Sequence, residues 1–147
     1  MKKGDSQGFT LIELLIVIGI IAILAAIVIV AVNPARQLAQ ARNATRSANA
    51  STILNAVTQN IAENGSFVCS GGDIPTTTPT NLSSDDYNIC SCLVPVYVAE
   101  MPFDPSDGSY TDCSVYDAGY TIQLTAENRV TIASPSAELD QIISVTR

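Results

Sequence analysis

The chain of 147 residues contains no histidine and no tryptophan. The missing histidine removes the commonest general base and a frequent metal ligand. Lysine occurs only as Lys2 and Lys3, so no lysine nucleophile is available over the rest of the chain. Serine and aspartate are plentiful, but without histidine the usual catalytic triads cannot be assembled. Positive charge is scarce: seven Lys and Arg stand against fourteen Asp and Glu, a net charge of −7. A broad basic surface for nucleic acid is therefore excluded. The composition reads as a non-enzyme with no nucleic-acid partner.

Charge is missing altogether from one long stretch. From Leu14 to Val32 there is no ionisable side chain, only Ile, Leu, Val, Ala and Gly19. As a helix this run spans roughly 28 Å, close to the hydrocarbon thickness of a bilayer. Lys2 and Lys3 precede it, and Glu13 lies just inside its start. A carboxylate costs roughly 2.5 kcal/mol or more at the centre of a membrane helix, so Glu13 calls for a function and a partner. An ordinary secretory signal has a shorter apolar core, followed by a small-residue cleavage site. Here the run is longer and the carboxylate sits at its N-terminal edge.

The short basic leader ending in Gly8, then Phe9-Thr10-Leu11-Ile12-Glu13-Leu14-Leu15-Ile16-Val17-Ile18, resembles the cleavage motif of type IV pilins and type II secretion pseudopilins. The resemblance implies that a prepilin peptidase cuts between Gly8 and Phe9 and N-methylates Phe9. It makes Glu13 the glutamate of the motif. Asp5 departs from the pattern by offsetting part of the leader's charge. Cutting before Phe9 keeps the whole apolar helix and places a new amine one turn from Glu13. In a helical homopolymer Glu13 of one subunit then meets the Phe9 amine of a neighbour, which pairs both charges in a dry core. The implied partners are further copies of the chain, the prepilin peptidase, the membrane and its assembly platform. The implied location is the inner membrane as a single-pass protein, then a pilus or periplasmic filament. A plain anchored binding module is the reading of another class, and retention of Lys2 on the mature protein would mark it.

The chain divides into a leader (1–8), a transmembrane or assembly helix (9–33), and a head domain (34–147) whose amphipathic helix runs to about 63. Asn33-Pro34 marks a kink, because proline removes a helical hydrogen bond. From Ala35 to Glu63 the sequence is alanine-rich, with Leu38, Ala41, Ala44/Thr45, Ala48, Ile53/Leu54, Val57 and Ile61 at helical spacing. Gln37, Gln40, Arg42, Asn43, Arg46, Asn49 and Asn55 are expected on the opposite, solvated side. Asn64-Gly65 is a natural stop. Residues 66–118 read as a connector rich in turn formers, in which 92–98 forms a short strand or a helical turn. Residues 120–125 and 129–133 alternate and are joined by Ala126-Glu127-Asn128, which predicts a hairpin with Ile122, Leu124, Val130 and Ile132 facing the helix. The tail is surface extension or a last strand near Ile142–Val145. The fold class is α+β, a long N-terminal helix packed on a small antiparallel sheet, which is also the pilin architecture.

Four cysteines, Cys69, Cys90, Cys92 and Cys113, follow the apolar helix. An even count in an exported domain points to two disulfides. Either Cys69 pairs with Cys90 and Cys92 with Cys113, or Cys69 pairs with Cys92 and Cys90 with Cys113. Zinc is the competing use, against which stand the C-x-C spacing and an oxidising compartment. The stretch from Met101 to Tyr110 resembles the Pro-x-Asp-Pro…Gly-x-Tyr segment of major pseudopilins. That resemblance implies calcium held by Asp104, Asp107, Asp112 and Asp117, in the oxygen-rich coordination calcium prefers. A cluster of solvated turns is the other reading, and no further cofactor is expected. Thr76–Thr80 and the Asn-x-Ser/Thr triplets at Asn43, Asn49, Asn64 and Asn81 are possible glycan positions that a Thr-rich chain also produces by composition.

Overall fold

The computed structural model describes residues 8–147, so Lys2, Lys3 and Asp5 lie outside the described residues. It divides into two compact units, Met1–Gln37 and Leu38–Arg147.

In the first unit, α1 runs Leu11–Val32. It is apolar on all sides, and none of its residues is buried. It is the one helix among the described residues long and apolar enough to cross a membrane. Thr10 opens it and Asn33 closes it in the left-handed conformation, φ 44°. Asn33 then serves the next helix, where its side-chain oxygen accepts from the Arg36 N–H. Pro34 takes the first position of α2 (Pro34–Asn64), where its missing N–H costs nothing. The expected interruption at Asn33-Pro34 is therefore a change of caps between two helices.

The second unit is an antiparallel sheet covered by α2. Its strands are β1 (Thr80–Ser83), β2 (Ser109–Asp112), β3 (Val115–Leu124), β4 (Val130–Ser134) and β5 (Ile143–Thr146). β3 is the spine: it pairs with β1, β2 and β4, and β4 pairs with β5. Asp117 is flanked by Ser83 of β1 and Ser109 of β2, so these two short strands lie on opposite edges of β3. The expected hairpin is present, with Leu124 opposite Val130 and Ile122 opposite Ile132. Strict alternation puts Tyr116, Ala118, Tyr120 and Ile122 inside. They pack with Ile132, Leu82 and the Ala50, Ile53, Leu54 and Val57 face of α2 in one core.

Two expectations need correction. The N-terminal half of α2 turns a different face inward. Leu38 is 60% exposed, and Ala41, Ala44, Thr45 and Ala48 are exposed too, while Ala39, Asn43, Arg46 and Ala50 are buried. The stripe that reaches the sheet is 39, 43, 46, 50, 53 and 57, which keeps the helical spacing but includes an asparagine and an arginine. Polar residues stand there because the head offers them carboxylate and carbonyl partners. The connector 66–118 is also more structured than its turn-rich composition indicates. It holds β1, β2, the start of β3 and a single helical turn, α3 (Cys90–Leu93).

Both disulfides form, as Cys69–Cys92 and Cys90–Cys113, with Cα separations of 5.3 and 5.2 Å. Cys90 and Cys92 both sit on α3, where residues two apart point to nearly opposite sides, about 200° around the axis. The C-x-C pair thus reaches in two directions. One bridge holds the loop after α2, and the other holds the β2–β3 turn.

Candidate functional site

The N-terminus of α1 is built by a reciprocal cap. Thr10 Oγ1 accepts from the Glu13 N–H at 3.2 Å, while the Glu13 carboxylate accepts from the Thr10 N–H and hydroxyl, both at 2.8 Å. Two donors at the helix start are satisfied by this capping box. The signal was present in the sequence as Thr10-x-x-Glu13 and is additional to the partner first assigned to Glu13. Both bonds to the carboxylate fall on Oε2. An ionised carboxylate has about four lone-pair sites, so capacity remains for a cation. Phe9, immediately outside the cap, is 85% exposed. A Cβ on Gly8 would meet nothing within 4 Å. Nothing in the described chain therefore requires glycine at that position, and any requirement for it comes from outside.

The profile of the prokaryotic N-terminal methylation motif matches residues 3–29. The chain carries the motif characteristic of type IV pilins and pseudopilins. The match includes Gly8, the capping box and most of α1. No curated protein and no solved structure matches it. The motif and the one exposed apolar helix fit a membrane-anchored pilin precursor.

The head of the pilin-like chain contains a second constellation, which sequence reasoning missed. Arg46 is fully buried, and five hydrogen bonds occupy its guanidinium. Nε and Nη2 donate to Asp104 at 2.7 and 3.2 Å. Nη1 donates to Glu138 at 2.7 Å and to Asn43 at 3.0 Å, and Nη2 also donates to Ser106 at 2.6 Å. Arg42 donates through Nε to Glu138 at 2.7 Å. Asn43 accepts from the Glu138 N–H and donates to its carbonyl. One face of α2 thus clamps both the 101–108 loop and the turn at Glu138.

The electrostatics follow from this geometry. Burial pushes the Asp104 carboxyl up, but the Arg46 guanidinium and the N–H groups of Ser106 and Asp107 outweigh it and hold the group at about 2. Glu138 is held at about 2 by Arg42 first and Arg46 second. Arg46 is raised in turn, chiefly by Asp104.

The same geometry gives three of the four aspartates of the expected calcium set other partners. Asp104 is buried and paired with Arg46. Asp112 caps the β2–β3 turn through the N–H groups of Ser114 and Val115. Asp117 accepts from Asn81 and from the Gly119 N–H. Among the described residues no three potential metal-ligating side chains come together. The glycines nearby have a packing reason instead. A Cβ on Gly108 would lie 2.4 Å from the Asp104 nitrogen, and one on Gly119, at φ +70°, would lie 2.7 Å from the Asp104 Cβ. Asn43 is buried with its amide engaged by Glu138 and Gln141, so the folded head offers no glycan position there.

Proposed function

We propose that the chain is a structural subunit of a type IV pilus, stored in the inner membrane and polymerised through α1. The observation that carries this is a helix of 22 residues, apolar on every side and with no residue buried, opened by the matched methylation motif. Such a surface needs lipid before assembly and other copies of itself afterwards. The prepilin peptidase cuts between Gly8 and Phe9 and methylates Phe9. Glu13 keeps its cap on Thr10 and offers its remaining oxygen to the Phe9 amine of a neighbour. The acidic heads form the filament surface, with an assembly platform in the membrane driving insertion.

A type II secretion pseudopilin is the second reading, supported by the wording of residues 102–110. Favouring the pilus reading, two disulfides and the Arg46–Asp104 pair already staple the head. Processing is tested by Gly8→Ala or a bulkier residue. Because a Cβ there meets nothing in the chain, a folding defect does not intrude. Mass spectrometry of the membrane fraction is expected to find the uncut chain. Normal removal of residues 1–8 from the variant would remove the main support for this function.

A further inference from the structure

A helical filament is built from heterologous contacts, in which a patch on one subunit meets a different patch on the next. The head carries two features of that kind, at opposite ends of α2. The first is a knob. Glu138–Gln141 is a turn closed by the Gln141 N–H to the Glu138 carbonyl, and its central residues Leu139 and Asp140 have φ of 59° and 55°. Two left-handed residues in succession are the geometry that Asn-Gly normally supplies. A leucine held there is strained, and such strain persists only where the surroundings enforce it. Here they do so through Arg42, Asn43 and Arg46, all bonded to Glu138. The clamped turn leads into Ile142, which is 93% exposed, and holds Leu139 at 43% exposed.

The second feature is a hollow of about 350 Å³ at the other end of the helix. Its apolar lining is Ile61, Phe67, Ile74, Leu124 and Val130. From Arg42, under the knob, to Ile61, in the hollow, α2 advances about 28 Å. One exposed charge at each end is opposite in sign to the other. The knob carries exposed Asp140, while Arg42 beneath it is already paired with Glu138. Asp73 lines the hollow, and exposed Arg129 stands between two of its lining residues, Asn128 and Val130.

We infer that Leu139 and Ile142 of one head insert into the Ile61–Phe67–Leu124 hollow of the next copy, so that heads stack end to end along α2. This rests on the filament reading above and specifies a contact between heads that the apolar helices do not provide. Two features at opposite ends of one rigid element give an open, polar array, whereas a symmetric patch closes into a dimer.

The test uses the full chain as sole subunit, carrying Ile142→Cys together with Thr76→Cys, an exposed position lining the hollow. Sheared filaments are oxidised and run without reducing agent. A ladder of covalent multimers, absent from either single variant, is the expected result. Filaments that form normally yet give no ladder overturn this inference and leave the filament reading intact. No filaments from the wild-type chain would overturn both. Ile142→Asp supplies an independent readout. The side chain is almost wholly exposed, so melting temperature and membrane level stay at wild-type values while filament yield falls at least tenfold. A wild-type yield from this variant would also overturn the inference.

Discussion

Arg46 is the residue on which the head turns. It stands fully buried in the middle of the α2 stripe, joined to Asp104 and Glu138. Removing one partner of a buried pair leaves the other charge uncompensated, at a cost of about 3–5 kcal/mol, whereas replacing both by apolar residues is often close to neutral. Arg46→Met is therefore expected to lower the melting temperature of the detergent-solubilised chain sharply. Adding Asp104→Leu should recover much of the loss. Equal losses in single and double variants would show that the pair does not act as a unit. The pH profile follows from the same contact. Asp104 is depressed from 3.8 to about 2 in the folded state, so its stabilisation is complete above about pH 4 and is lost as pH falls from about 4 to 2. Glu138 is depressed likewise and adds to the loss at that end. Stability should be insensitive to this pair between pH 5 and 7, and in the double variant the acid-sensitive limb should shrink to the part that Glu138 keeps through Arg42.

The elements were legible from sequence to different degrees, for physical reasons. α1 and the β3–β4 hairpin announced themselves because their patterns are undiluted: no charge from Leu14 to Val32, and strict alternation around Ile122 and Ile132. The α2 boundaries at Pro34 and Asn64 were equally visible, since proline and Asn-Gly have backbone reasons to stand there. Its inward face was misread over 38–48 because hydrophobic spacing favours Leu38 and Ala41, while the residues actually buried include Asn43 and Arg46. A buried arginine becomes legible only when its carboxylates are known, and these lie 58 and 92 positions away. β1 and β2 went unseen because four-residue strands rich in Ser, Thr and Asp carry no apolar alternation.

Extended-chain spacing does not separate the two cysteine pairings; what separates them is the side of α3 on which the fold places Cys69 and Cys113. Each bridge spans 23 positions. Loss of either should destabilise the head by roughly 2–5 kcal/mol, the range for small secreted domains. Alkylation of freshly isolated, unreduced protein should add no mass. Four labelled cysteines would contradict the assigned bridges.

At the scale of the whole molecule the chain is two dissimilar units with one purpose. The head is an acidic α+β unit with its own core, while α1 has no buried residue at all. The capping box lets Glu13 start its own helix and still hold capacity for a cation, so under the proposed function local structure and assembly would use the same carboxylate. This makes the consequence of losing it specific. Glu13→Leu removes a charge from the edge of the membrane segment, so insertion should be as good as before or better. Processing should continue, because the proposed cut lies at Gly8. What the proposed function expects to be lost is the partner for the Phe9 amine as an incoming subunit leaves the headgroups for an apolar core. The decisive measurement counts filaments and quantifies cut, mature protein in the same cells, with Glu13→Leu as the sole subunit. Wild-type amounts of mature protein with no filaments are the predicted result. Abundant wild-type-like filaments would contradict the claim that the Phe9–Glu13 contact drives assembly.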